Sequence, residues 1–256
     1  SDYKNWLQKE KRCPDNTIKS YLSDLQKFSD FLENKKLPEP QLANPIHLES
    51  WMISLSDDGM ASSTLSRKLS SLHSYYKFLN ITETRKDDPS AGLEVPSVKK
   101  RLVRFVREED ILSLMCQLET ETDFENEKEF QDYLIMELLY GTGIRMSEAI
   151  NLKVSDVGDK SIKVFGKGSK ERLIPINVTL RNYLNLFLNK FRTDSEFLFF
   201  TSKGEPLYPM YIYRVVNSVL NRVGHLEKRS AHVLRDSFAT HLLNKGADIN
   251  AIKEIL

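Results

Sequence analysis

Apolar side chains recur at helical spacing through most of residues 1–96. Ile18, Tyr21, Leu22, Leu25, Phe28, Phe31 and Leu32 share one face of a helix, and Pro14-Asp15-Asn16-Thr17 supplies its opening chemistry. A shorter helix, Asp2 to about Lys11, precedes it. Pro38, Pro40 and Pro45 then interrupt the chain. Leu48, Trp51, Met52 and Leu55 predict a third helix ending near Gly59. A fourth begins about Ser62, with Leu65, Leu69, Leu72, Tyr76 and Leu79 in its stripe and Ser66, Arg67 and Ser70 on its polar face. Four short amphipathic helices bury their stripes as a small bundle.

Beyond Pro89 and Pro96 the pattern changes. Residues 97–106 carry Lys99, Lys100, Arg101 and Arg104 without a clear period and read as a basic linker between a domain at 1–96 and another at 107–256. In the second domain, helices are predicted over Glu108–Leu118, Phe130–Tyr140, Leu180–Phe191, Tyr211–Val223 and His232–Leu243, with another starting near Ile249. The acidic stretch Glu119–Glu129 reads as a loop. Gly141 and Gly143 break one helix, and another starts near Arg145. Ser161–Phe165 and Arg172–Ile176 are β-rich runs flanking Gly166-Lys167-Gly168-Ser169-Lys170, the pattern of a hairpin. The fold class is therefore mainly α with a small antiparallel β-sheet, in two domains.

Composition constrains this picture without naming a function. The 256 residues hold 37 Lys and Arg against 36 Asp and Glu, so any basic surface must come from segregated charge. Cys13 and Cys116 stand far apart, in no disulfide or zinc spacing, which fits a reducing, cytoplasmic location. No stretch approaches the roughly 18 apolar residues of a membrane span, and no secretory signal precedes the first helix. The start at Ser1, without methionine, reads as a trimmed or added terminus.

Three positions carry candidate chemistry. Arg145 follows Gly141-Thr142-Gly143-Ile144 in the first turn of a helix, where backbone N–H groups and a guanidinium together suit a phosphate. Alone, it is more simply an exposed arginine paired with Glu148. Lys167 lies between two glycines at the hairpin turn, free to reach into a groove. A lysine there can act as a general acid where an arginine cannot, although a solvated turn lysine is the simpler view and Lys170 an equal candidate. His232 and Arg235 are spaced i, i+3, so one helix face presents an imidazole and a guanidinium.

Taken in order, these words carry a stronger signal. Thr142-Gly143-Ile144-Arg145-Met146-Ser147-Glu148, then Gly166-Lys167-Gly168-Ser169-Lys170-Glu171-Arg172, then His232-Val233-Leu234-Arg235 leading into Phe238-Ala239-Thr240-His241-Leu242-Leu243, resemble the tyrosine recombinase (lambda integrase-like) family, and its Xer subgroup most closely. Asp87-Asp88-Pro89-Ser90-Ala91 and the opening Asn16-Thr17 add to the likeness, which covers nearly the whole chain.

The resemblance implies a SAM-like, core-binding helical domain and an α/β catalytic domain that together clamp double-stranded DNA at a specific recombination site. It implies phosphoryl transfer with no metal and no cofactor, through a 3′-phosphotyrosyl intermediate. Arg145 and Arg235 would hold the non-bridging phosphate oxygens, Lys167 would protonate the departing 5′-oxygen, and His232 would bind the phosphate or assist proton transfer. Arg67, Lys99, Lys100, Arg101, Lys170 and Arg172 would contact DNA, mostly at phosphates. His241 reads as a packed histidine, and His47, His73 and His225 have no supported role. The implied partners are DNA, a homo- or hetero-tetramer of recombinase subunits and a septal DNA translocase, with no membrane. The implied task is chromosome dimer resolution, with a mobile-element integrase or a non-catalytic DNA-binding protein as alternatives.

The sequence departs from the family pattern twice. The segment that would carry the nucleophilic tyrosine is not among these residues, so the natural protein is expected to possess it and the chain as given to bind DNA without cutting. Asp236 stands where relatives often carry histidine. It is expected to join the helix packing, the alternative being competition with phosphate for Arg235.

Overall fold

A computed structural model describes residues 2–94, 105–166, 171–191, 194–224, 226 and 229–256. The chain divides into two compact units, Ser1–Arg101 and Leu102–Leu256. The fold class is as the sequence pattern predicts: mostly helix, with one two-stranded antiparallel sheet among the described residues.

The first unit holds α1 (Asp2–Lys9), α2 (Asp15–Asn34), α3 (Pro45–Asp57) and α4 (Ser62–Ile81). Helix α3 starts on a capping box: Asn44 Oδ1 accepts from the His47 N–H at 3.1 Å, and His47 Nδ1 accepts from the Asn44 N–H at 3.3 Å. Tyr3, Trp6, Phe28, Leu48, Trp51, Leu72, Tyr76 and Phe78 form the core, with Trp51 packed on Phe28 at 5.0 Å between ring centroids. One polar group breaks this apolar interior. Asp24 is buried and accepts from Lys68 Nζ at 2.9 Å, from Ser71 Oγ at 2.9 Å and from Arg67 Nη1. Lys68 is itself only 2% exposed and lies over the Trp51 ring, 5.2 Å from its centroid. The helical pattern had shown an apolar stripe there and not this ion pair. After α4 the chain is fixed by Ser90, which is buried, donates to Asp88 Oδ1 at 2.5 Å and meets His73 Nδ1 at 2.8 Å.

The second unit holds α5 (Glu108–Glu121), α6 (Glu127–Thr142), α7 (Met146–Ile150), β1 (Ser161–Phe165), β2 (Glu171–Pro175), α8 (Val178–Lys190), α9 (Pro209–Leu220), α10 (Ala231–Asn244) and α11 (Ile249–Ile255). The acidic stretch is less of a loop than its polarity suggests. Helix α5 runs to Glu121 and α6 starts at Glu127, where Asn126 Oδ1 caps it by accepting from the Lys128 and Glu129 N–H groups. Gly141 does not break α6, which ends at Gly143, the residue with a left-handed φ of 63°. The strands pair Ser161 with Pro175 and Phe165 with Glu171, aligning the hairpin one residue earlier on its second strand than the sequence pattern indicated.

Helix α6 is the axis of this core. Its Phe130, Leu134, Ile135, Met136, Leu138 and Leu139 are each no more than 1% exposed and join Ile162, Ile174, Leu184, Phe187, Ile212, Val216 and Leu234 in one apolar cluster. A helix apolar on all sides belongs at the centre of a domain. Its buried carboxy-terminal end sets the start of the next segment, which carries Arg145. Among the described residues no helix is long and apolar enough to cross a membrane.

Candidate active site

Gly143 brings the end of α6 close against α10. A Cβ at this position would lie 2.5 Å from Phe238 Cδ1, so only glycine fits both the contact and the left-handed turn. Thr142, fully buried, holds the turn by donating to the Leu138 carbonyl at 2.5 Å and accepting from the Ile144 N–H at 3.3 Å. The chain then turns into α7 with Arg145 as its N-cap residue.

Glu148 completes that helix start. Its Oε2 accepts the Arg145 N–H at 2.9 Å, and its Oε1 accepts from Arg145 Nη1 at 3.0 Å. The same carboxylate is gripped from the hairpin by Arg172, whose Nη1 and Nη2 reach Oε1 at 2.9 Å and Oε2 at 2.8 Å. Arg172 Nε donates to the Ile255 carbonyl at 2.7 Å, tying β2 to α11. Burial pushes the Glu148 carboxyl up, but the hydrogen bonds from Arg172 and Arg145 outweigh it and hold the group below the usual glutamate range.

Arg235 approaches from α10. Its Nη1 donates to the Gly143 carbonyl at 2.6 Å, two residues before Arg145, and its Nη2 donates to the Leu256 carbonyl. Burial, reinforced by the positive charges of Arg145 and Arg172, lowers its pKa to about 10. The shared Glu148 carboxylate joins Arg145 to Arg172, and the Arg235 bond to the Gly143 carbonyl brings the third guanidinium to the same turn. Glu148 and Asp236 offset part of this positive charge.

His232 is exposed one turn before Arg235 on α10 and has no hydrogen-bond partner among the described residues. Asp236 is half-buried; burial pushes its carboxyl up, and His232 and Arg235 partly offset this. No ion pair joins Asp236 to Arg235 among the described residues; the two Arg235 Nη atoms go to backbone carbonyls. His241 is 5% exposed, with Nδ1 3.2 Å from Tyr140 Oη and Nε2 2.9 Å from the Val106 carbonyl. A carbonyl only accepts, so Nε2 carries the proton and the Tyr140 hydroxyl donates to Nδ1. Ser237, also on α10, accepts the Val106 N–H at 2.8 Å.

The structure thus gathers Arg145, Arg235 and Arg172, with His232 beside Arg235. Lys167 and Lys170, and the linker residues Lys99, Lys100 and Arg101, lie outside the described residues. Arg172 has its three side-chain nitrogens taken up inside the protein, and Arg67 in the first unit is paired with Asp24 while its side chain stays 43% exposed. Glu148 is the residue whose weight sequence reasoning underestimated: it was visible as a partner for Arg145, three residues on, but its second arginine comes from a hairpin. No tyrosine hydroxyl is hydrogen-bonded to Arg145, His232 or Arg235 among the described residues. These residues also contain no group of three side chains arranged to hold a metal ion.

Two family models match most of the chain. Residues 104–256 match the phage integrase family, and residues 1–81 match the phage integrase N-terminal SAM-like domain. The chain is 32% identical over 263 residues to tyrosine recombinase XerD of Staphylococcus haemolyticus, covering 100% of this chain and 88% of that protein. It is 33% identical over 283 residues to tyrosine recombinase XerC of Chlorobaculum parvum, covering 98% and 83%. Its fold is similar to that of the XerH site-specific recombinase bound to its difH substrate, with a TM-score of 0.74, 21% identity and coverage of 93% of this chain and 72% of that one. It is likewise similar to a lambda integrase tetramer bound to a Holliday junction, with a TM-score of 0.73, 17% identity and coverage of 100% and 74%.

Proposed function

The chain belongs to the phage integrase family as a Xer-type tyrosine recombinase, and from that premise we propose that it cuts and rejoins double-stranded DNA at a specific site through a 3′-phosphotyrosyl intermediate. The observation that carries this is the convergence of Arg145 and Arg235 at the α6–α10 contact, with the exposed His232 one turn from Arg235. Two guanidiniums there match the non-bridging oxygens of a phosphodiester and the extra negative charge of its transition state. Lys167, whose sequence position falls between β1 and β2, would protonate the departing 5′-oxygen. His232 would bind the phosphate or assist the proton's transfer from the nucleophile. Exchange of one phosphodiester for another requires no energy source, so the reaction calls for no cofactor.

Around this centre, domains at 1–96 and 107–256 joined by the linker 97–106 would clamp the duplex. Arg67, Lys99, Lys100, Arg101 and Lys170 would contact phosphates. We place the attacking tyrosine outside these 256 residues, since none of the ten tyrosines present joins the arginine cluster. The assembly would be a homo- or hetero-tetramer resolving chromosome dimers in the cytoplasm, with a septal DNA translocase as a further partner.

The test is covalent trapping. The cognate site is first recovered by binding selection from random duplexes. The full-length gene product is then incubated with a nicked duplex of that site and resolved on a denaturing gel. A phosphotyrosyl adduct that disappears in Arg145→Gln and Arg235→Gln is expected. Specific binding without any adduct would leave a non-catalytic DNA-binding protein, and an adduct formed by residues 1–256 alone would overturn the placement of the tyrosine.

A further inference from the structure

The proposed chemistry needs Arg145 to offer its guanidinium to a phosphate, yet a carboxylate sits within reach of it. The Glu148 side chain is 6% exposed, and a carboxylate this buried needs a cation. With Arg145 as its sole counter-ion, Glu148 would draw the guanidinium into a two-pronged pair and away from any phosphate.

Arg172 changes that balance. It covers both Glu148 oxygens from the hairpin side, at 2.9 and 2.8 Å, and its Nε is fixed by the Ile255 carbonyl at 2.7 Å. Its side chain is 15% exposed, so it is poorly placed to meet DNA itself. Arg145 consequently gives Glu148 only Nη1; its Nε and Nη2 have no partner among the described residues, and its side chain is 46% exposed. A lysine could substitute only in part, keeping the charge but not the double contact, which uses a planar fork.

We propose that Arg172 is a positioning residue that works through Glu148, occupying the carboxylate so that Arg145 remains available to a phosphodiester. This rests on the recombinase function proposed above. Because Arg172 sits on β2, it also links that strand to the arginine that holds the phosphate.

The test uses DNA affinity of the 256-residue chain and adduct formation by the full-length gene product, in Arg172→Gln, Arg172→Lys, Glu148→Gln/Arg172→Gln, Arg145→Gln and Arg145→Gln/Arg172→Gln. Arg172→Gln is expected to slow adduct formation about 10- to 100-fold, in the range seen when a supporting partner is removed. Arg172→Lys should be intermediate. Adding Glu148→Gln removes the competing carboxylate and should recover most of the lost rate, to within about threefold of wild type. A general loss of structure would not be reversed by deleting a second group, and thermal midpoints check this directly. In binding, Arg172→Gln should add little to Arg145→Gln, because one acts through the other.

Independent, multiplying losses in that pair would mean that Arg172 contacts DNA itself and would overturn the proposal, as would wild-type rates in Arg172→Gln or no recovery in the double variant. Absence of any adduct from the wild-type full-length gene product would instead overturn the recombinase function on which it rests.

Discussion

Removing Asp24 should be far more damaging than removing Lys68, although the two are ion-pair partners. Asp24→Ala leaves an ammonium buried to 2% exposure whose remaining stabilisation is the Trp51 ring at 5.2 Å. Breaking a buried pair in this way costs about 3–5 kcal/mol. Lys68→Met leaves Asp24 with Ser71 Oγ at 2.9 Å and with Arg67, whose 43% exposed side chain can shift to cover it. That change should cost about 1–2 kcal/mol, the scale of one charge-assisted hydrogen bond. Replacing both, as Asp24→Leu with Lys68→Met, removes the desolvated charges together and should return stability to within about 1 kcal/mol of the original. Urea unfolding followed by tryptophan fluorescence isolates the effect, because the chain's 2 tryptophans, Trp6 and Trp51, both lie in the core of the first unit. Equal losses in the two single variants, or a double variant whose loss is the sum of the singles, would refute the asymmetry.

Gly143→Ala should destabilise the second unit by about 1–3 kcal/mol through left-handed strain and the contact with Phe238, and it should weaken DNA binding because Arg145 follows the turn; thermal unfolding and a binding isotherm check both, and an unchanged midpoint would count against it. Burial raises the Glu137 carboxyl above its ordinary range while it accepts from Tyr133 Oη at 3.2 Å. The native state therefore binds its proton more tightly than the unfolded chain, and the stability this gives is lost as pH rises through the native pKa. Glu137→Gln should accordingly be more stable than the wild type near about pH 7 and no more stable near about pH 4, and a pH-independent difference in midpoint would refute this. DNA affinity should fall steeply with salt, and Arg67→Gln should reduce the slope of log K against log salt by about 0.9. An unchanged slope would mean that Arg67 serves Asp24 alone.

Element type was legible because each helix carries a complete apolar stripe, and the hairpin is announced by β-rich runs around a glycine-bearing turn. Errors fall where local composition misleads. Acidic residues 119–129 look like a loop, yet Asn126 caps α6 from within that stretch and α5 extends into it. Gly141 looks like a breaker but lies inside the last turn of α6, and the left-handed stop is Gly143. Within the site, Arg145, His232 and Arg235 are weak signals singly and are named together only through the order of motifs that resembles the tyrosine recombinase family. The bonds from Arg172 to Glu148, and from Lys68 to Asp24, join residues 24 and 44 positions apart, and neither separation has a local periodicity to reveal it.

Val106 gives the fold a mechanical character. Both of its backbone polar groups are fastened to α10, the N–H to Ser237 and the carbonyl to His241, and the same helix carries His232 and Arg235. Tension arriving along the chain from the amino-terminal side is therefore delivered to α10, within two turns of the guanidinium at its other end. Displacing Val106 must therefore break two bonds to the helix that carries Arg235.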